Sequence, residues 1–191
     1  MKVETDLDTI KLVGKQKEDE NWKFRSYLKG LDIEVEELDN IVHKLNDEVT
    51  SQIDCTKCAN CCKVVYPMLD EEDFIKFTSS MNSSIEAFKS TCLVVSEEEN
   101  DKYNFNSVPC PFLKENKCSN YINRPKDCES FPHLHKEHFW TRLMGVVEYY
   151  SICPIVFNVY EQLKKELWRR DWRKKLQLRM TSITSSSSRP L

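Results

Sequence analysis

Cys55-Thr56-Lys57-Cys58-Ala59-Asn60-Cys61-Cys62 places four thiols within one short run, and the reading of that run decides what holds this fold together. A thiolate is a soft donor suited to zinc, copper(I) or iron–sulfur clusters, and Cys-x-x-Cys lets two sulfurs of one tight turn face one ion. Two overlapping copies of the spacing share Cys58. Cys55, Cys58 and Cys61 repeat the three-cysteine spacing of bacterial ferredoxins, but Cys62 follows at once where ferredoxins place the fourth cysteine farther on. From an extended backbone adjacent side chains point apart, so Cys61 and Cys62 are expected to serve different ions or opposite sides of a cluster.

Downstream, Cys110-Pro111-Phe112-Leu113, Cys118, Cys128 and Cys153-Pro154 supply four more sulfurs. Eight sulfurs permit two sites of four thiolates, one four-iron cluster with sulfurs to spare, or a thiolate-bridged pair of ions, and spacing alone leaves these open. What the nine cysteines mean depends on compartment. No apolar run approaches the roughly 18 residues of a membrane helix, and Met1-Lys2-Val3-Glu4-Thr5-Asp6 has no signal-peptide core. A cytoplasmic location is expected, where thiols stay reduced and clustered cysteines serve as metal ligands more often than disulfides. Cys92, beside Leu93 and Val94, reads as a small buried hydrophobe.

Outside the cysteines, Leu31, Ile33, Val35, Leu38, Ile41, Val42, Leu45 and Val49 recur near the helical period, with Gly30 separating two helices. Asp70-Glu71-Glu72-Asp73 marks a helix start, and Ser83-x-x-Glu86 reads as a capping box. Leu93–Val95 and Tyr103–Phe105 form the strands of a hairpin, and the stretch between Pro109 and Pro132 is turn-rich. The expected fold is mainly α with a small β-hairpin and proline-rich loops, a small α+β class around a metal-stabilised cysteine-cluster core. Four regions are expected: an N-terminal helical region (1–53), the cysteine-cluster metal-binding domain (54–154), a C-terminal amphipathic basic helix (155–180) and a disordered tail (181–191).

The string Cys55 to Lys63, the acidic Leu69–Asp73, Cys110-Pro111-Phe112-Leu113, Cys118-x-x-Tyr121-x-x-Arg124-Pro125-x-x-Cys128-x-x-Phe131-Pro132 and Cys153-Pro154 together resemble the YkgJ-type cysteine-cluster family. That family is described as a zinc- or iron-chelating domain, and the flagellin lysine methylase FliB is similar to it. The resemblance implies a ligand set of Cys55, Cys58, Cys61, Cys62, Cys110, Cys118, Cys128 and Cys153, and gives Cys92 no counterpart. Two positions depart from the pattern: Ala59, where the family has glycine, and Glu129, where an arginine follows the cysteine.

His133, His135 and His138 offer imidazoles, but with eight sulfurs at hand they are read as surface or packing residues. Arg124 and Tyr121 stand ready to support the thiolates from behind, and Lys57 and Lys63 to neutralise them or simply to be solvated. The formal net charge of -3 argues against general nucleic-acid binding, and no membrane partner is expected. From Glu161 to the C-terminus nine Lys or Arg face three acids, a local +6, which reads as a solvated basic face. The first functional expectation is therefore a zinc- or iron-binding protein with a metal ion as its partner. Alternatives are an iron–sulfur enzyme or electron carrier, with a methyltransferase relation implied by FliB, and a metal-shaped module that binds a protein. Three glycines build no phosphate-cradling loop, and Cys-x-x-x-Cys-x-x-Cys is absent.

Overall fold

The computed structural model describes residues 2–81, 83–97 and 101–168. In chain order its helices are α1 (Leu7–Gln16), α2 (Glu18–Lys29), α3 (Val35–Thr50), α4 (Cys55–Cys58), α5 (Cys61–Val64), α6 (Glu71–Thr78), α7 (Ile85–Cys92), α8 (Lys126–Ser130), α9 (Leu143–Tyr149) and α10 (Pro154–Leu163). Its strands are β1 (Met68–Leu69), β2 (Leu93–Val95), β3 (Tyr103–Phe105), β4 (Leu113–Lys114) and β5 (Lys117–Cys118). This is the small, mainly α, α+β class expected from the sequence. Among the described residues no helix is long and apolar enough to cross a membrane. The chain divides into two compact units: Met1–Gln52 with the chain from Leu134 onward, and Ile53–His133.

The first unit is helical. Leu38, Val42, Leu45 and Val49 form one buried stripe along α3, at the spacing that keeps side chains on one helix face. Its chief partner is α10, which is buried throughout Pro154–Tyr160. Several polar groups inside this core are paired. Asn158 Nδ2 donates to Glu4 O and Pro154 O while its Oδ1 accepts from Glu4 N–H at 2.9 Å, and Tyr160 donates to Asn21 O. Past Leu163 the helix continues as a π-helical turn, Lys164–Trp168. The expected basic segment beyond it and the expected tail lie outside the described residues.

The second unit centres on an aromatic core of Leu69, Phe74, Phe77, Phe88, Leu93 and Phe105, with Phe112 edge-on to Phe77 at 4.6 Å. The expected hairpin forms with Leu93 opposite Phe105 and Val95 opposite Tyr103, and β1 adds a third strand to give the order β1-β3-β2. At two residues β1 carries no period to read. A second hairpin, β4–β5, lies where only turns were expected. Its turn residues Glu115 and Asn116 have φ of 49° and 60°, the geometry that usually recruits Asn-Gly. The helix start at Asp70 is a full capping box with Asp73. The capping box expected at Ser83 does not form: Ser84 caps α7 through Ala87 N–H, one residue later, and Glu86 bonds the Ser84 side chain instead.

Candidate metal centre

All of Cys55, Cys58, Cys61, Cys62, Cys110, Cys118 and Cys128 belong to the second unit, and Cys153 to the helical one. The first run is built on two single-turn helices. Asp54 caps α4 by accepting from Thr56 N–H at 3.0 Å, so Cys55 and Cys58 sit three residues apart on one helical face. Ala59 then adopts the left-handed conformation, φ 49°, with its N–H on Cys55 O. That is the glycine-like geometry implied at this position by the family pattern. The chain re-enters helix at Cys61, so the extended backbone assumed for Cys61-Cys62 is absent. Their thiols hydrogen-bond each other, which brings Cys62 down to about 7 against the opposing effect of burial.

The second arm is tied to the first through the backbone, since Cys110 N–H donates to Cys62 O at 2.8 Å. From there Leu113 N–H returns to Cys110 O, and β4–β5 sets Leu113 opposite Cys118. A 3-10 turn, Tyr121–Asn123, leads through Pro125 into α8, which carries Cys128.

Electrostatics show which thiols share a neighbourhood. Burial pushes Cys110 up to about 11, and the charges of Cys62 and Cys118 add to it. Cys118 is raised by burial and by Cys62, with Arg124 opposing. Cys128 is raised strongly by burial, then by Asp127, Cys110, Cys62 and Cys118. Those four thiols therefore feel one another. Cys55 is raised by burial and then by Cys58 and Asp54. The thiols are gathered without being closed around a point: among the described residues no group of three or more His, Cys, Asp or Glu side chains is arranged to hold an ion. As a donor set, clustered sulfurs fit a soft divalent metal, which displaces their protons on binding.

The surroundings sort the other candidates. Arg124 stacks on Tyr121 at 4.0 Å, donates to Tyr121 O and pairs with Glu129 at 3.9 Å, so the departure at Glu129 supplies this arginine with an ion-pair partner. His133 has both ring nitrogens engaged, Nδ1 with Ser130 Oγ at 2.7 Å and Nε2 with Asp127 Oδ1 at 3.1 Å; it is a packing residue, as expected. His135 and His138 lie in the helical unit. Cys92 packs against the aromatic core. Cys153 is buried at the N-cap of α10. Sequence reading missed Asp73, Asp127, Ser130 and His133 as the groups that hold α8.

Clustered thiols on short helices and turns beside an aromatic core make the Ile53–His133 unit a small cysteine-rich domain. Residues 54–145 match the CxxCxxCC family model, described as "Putative zinc- or iron-chelating domain", in agreement with the resemblance carried by the cysteine spacing. Neither curated proteins nor solved structures gave a match to the chain.

Proposed function

We propose that the cysteine unit chelates zinc or iron in a reducing, cytoplasmic setting, with Cys62, Cys110, Cys118 and Cys128 as one four-thiolate set and Cys55, Cys58 and Cys61 as the sulfurs adjoining it. The observation that carries the reading is the backbone tie from Cys110 N–H to Cys62 O at 2.8 Å, followed along the chain by the hairpin that bears Cys118 and the helix that bears Cys128, all within one unit. Four thiolates around one divalent ion leave a net charge of about -2; Arg124, already acting on Cys118, offsets part of it.

Metal analysis and a visible spectrum on protein purified without oxygen test the proposal. Zinc gives a colourless protein, whereas a brown protein with acid-labile sulfide assigns an iron–sulfur cluster to the same sulfurs. Cys128→Ser is expected to lower metal content and thermal stability, and Cys92→Ser to leave metal content unchanged. Full metal retention in Cys128→Ser would remove that residue from the ligand set, and metal-free wild-type protein after growth in zinc- and iron-supplemented medium would remove the function.

A further inference from the structure

Cys128 rides on α8, a five-residue helix far too short to hold itself in water. Its placement comes from side chains outside it. At its first residue, Lys126 N–H donates to Asp73 Oδ1 at 2.9 Å. At the second, Asp127 Oδ2 accepts from Met68 N–H of β1 at 3.0 Å. At its end, the His133 ring links Asp127 to Ser130. Cys128 is therefore preceded by two residues pinned to α6 and β1 and followed by a serine held through the His133 ring.

Asp73 is the deepest of these anchors. It is 2% exposed, and its two carboxylate oxygens have separate duties. Oδ2 accepts from Asp70 N–H at 3.1 Å and completes the capping box of α6. That alone needs one oxygen. Oδ1 is spent on a backbone N–H 53 positions along the chain, joining the first turn of α6, which is seated on the aromatic core through Phe74 and Phe77, to the first residue of α8. A buried carboxylate makes strong charge-assisted bonds and is costly to leave unpaired, so this bridge resists both displacement and rotation of α8.

We infer that Asp73 is a positioning residue of the metal centre, fixing the helix that carries Cys128. The inference rests on the metal-binding reading proposed above. It predicts that loosening the bridge weakens metal binding without removing a ligand.

The test uses full-length chain titrated with cobalt(II), whose thiolate charge-transfer absorption reports the geometry of sulfur ligation, and with zinc(II) in competition with a chromophoric chelator. Asp73→Asn keeps side-chain size but replaces one acceptor with a donor. Lys126→Pro deletes the N–H from the other side, at a first helical position that tolerates proline, and serves if Asp73→Asn does not fold. Phe88→Leu loosens the same unit's core without touching the bridge. Each folded bridge variant should keep the wild-type metal stoichiometry, bind about 10–100-fold more weakly and show a shifted cobalt spectrum, while Phe88→Leu loses thermal stability but keeps wild-type affinity. Wild-type affinity and spectrum in the bridge variants, or an equal loss in Phe88→Leu, overturns the positioning role and leaves the metal-binding reading standing. A wild-type chain that takes up neither metal overturns both.

Discussion

Ala59 turns the chain between α4 and α5 at φ 49°, ψ 15°, where a Cβ costs roughly 1–2 kcal/mol. Glycine would remove that strain but carry more freedom into the unfolded chain, a loss of about 0.4–1 kcal/mol. Ala59→Gly is therefore expected to stabilise the metal-free protein by about 0.5–1 kcal/mol in denaturant melts; a destabilised variant would mean that the alanine methyl, 6% exposed, contributes more by packing than it costs in backbone strain. At this scale the cysteine spacing was legible as a pattern, and the family model matches the segment that carries it. The cysteines' neighbourhoods were not. The backbone bond from Cys110 N–H to Cys62 O joins positions too far apart for local pattern to reveal, and the extended backbone assumed for Cys61-Cys62 is replaced by a helical turn. Asp73 was readable as a helix-capping acid, but its second partner lies too far along the chain for local pattern to reveal.

Among the elements, those with a sustained period or strong punctuation were visible beforehand: α3 through its apolar stripe, α6 through its acids, the β2–β3 hairpin through its alternation. β1 and the β4–β5 hairpin were hidden by brevity and by a Glu-Asn turn. In α10 the apolar spacing located the helix but could not tell that Lys164 is buried, since that depends on who answers its charge. Lys164 Nζ donates to Glu20 Oε1, Asn21 Oδ1 and Glu161 Oε1, and Glu161 also receives Lys17 and the Tyr150 hydroxyl. Burial pulls the Glu161 carboxyl upward, yet hydrogen bonds from Lys164, Lys17 and Tyr150 outweigh it and leave it at about 2, below the ordinary 4.5. A carboxyl depressed in the folded state contributes stability that is full above its unfolded pKa and is lost as pH falls through the folded one. The contribution is about 3 kcal/mol at neutral pH, fading between about pH 4.5 and 2. Glu161→Gln should lower the melting temperature at pH 7, with the gap to wild type narrowing as the buffer is taken from pH 5 to pH 2. A gap that stays constant over that range would show that charge on Glu161 adds nothing.

At the scale of the whole molecule, the two units owe their order to different causes. The helical unit has an extensive apolar interior, with Phe24, Val42, Val49, Phe139, Leu143, Val156, Tyr160 and Leu163 all nearly inaccessible, and Lys164, Glu161 and Asn158 within it are hydrogen-bonded. The unit spanning Ile53–His133 has a smaller aromatic core held by α6, α7 and the three-stranded sheet, while Cys55, Cys58, Cys61, Cys62, Cys118 and Cys128 lie on α4, α5, β5 and α8, elements of two to five residues, and Cys110 lies in a loop. Segments so short are ordered only by what they are tied to, and thiolate–metal bonds can contribute roughly 10–16 kcal/mol to such order. Removing metal should therefore act locally. With hydrogen exchange followed before and after chelation, amides of Cys55–Val64 and of 110–130 are expected to lose most of their protection, those of β2, β3, α6 and α7 to lose less, and those of α3 and α10 to keep theirs. Uniform loss across both units would mean that the helical core depends on the metal for its own stability, and no change in the cysteine-bearing segments would mean that their hydrogen bonds order them unaided.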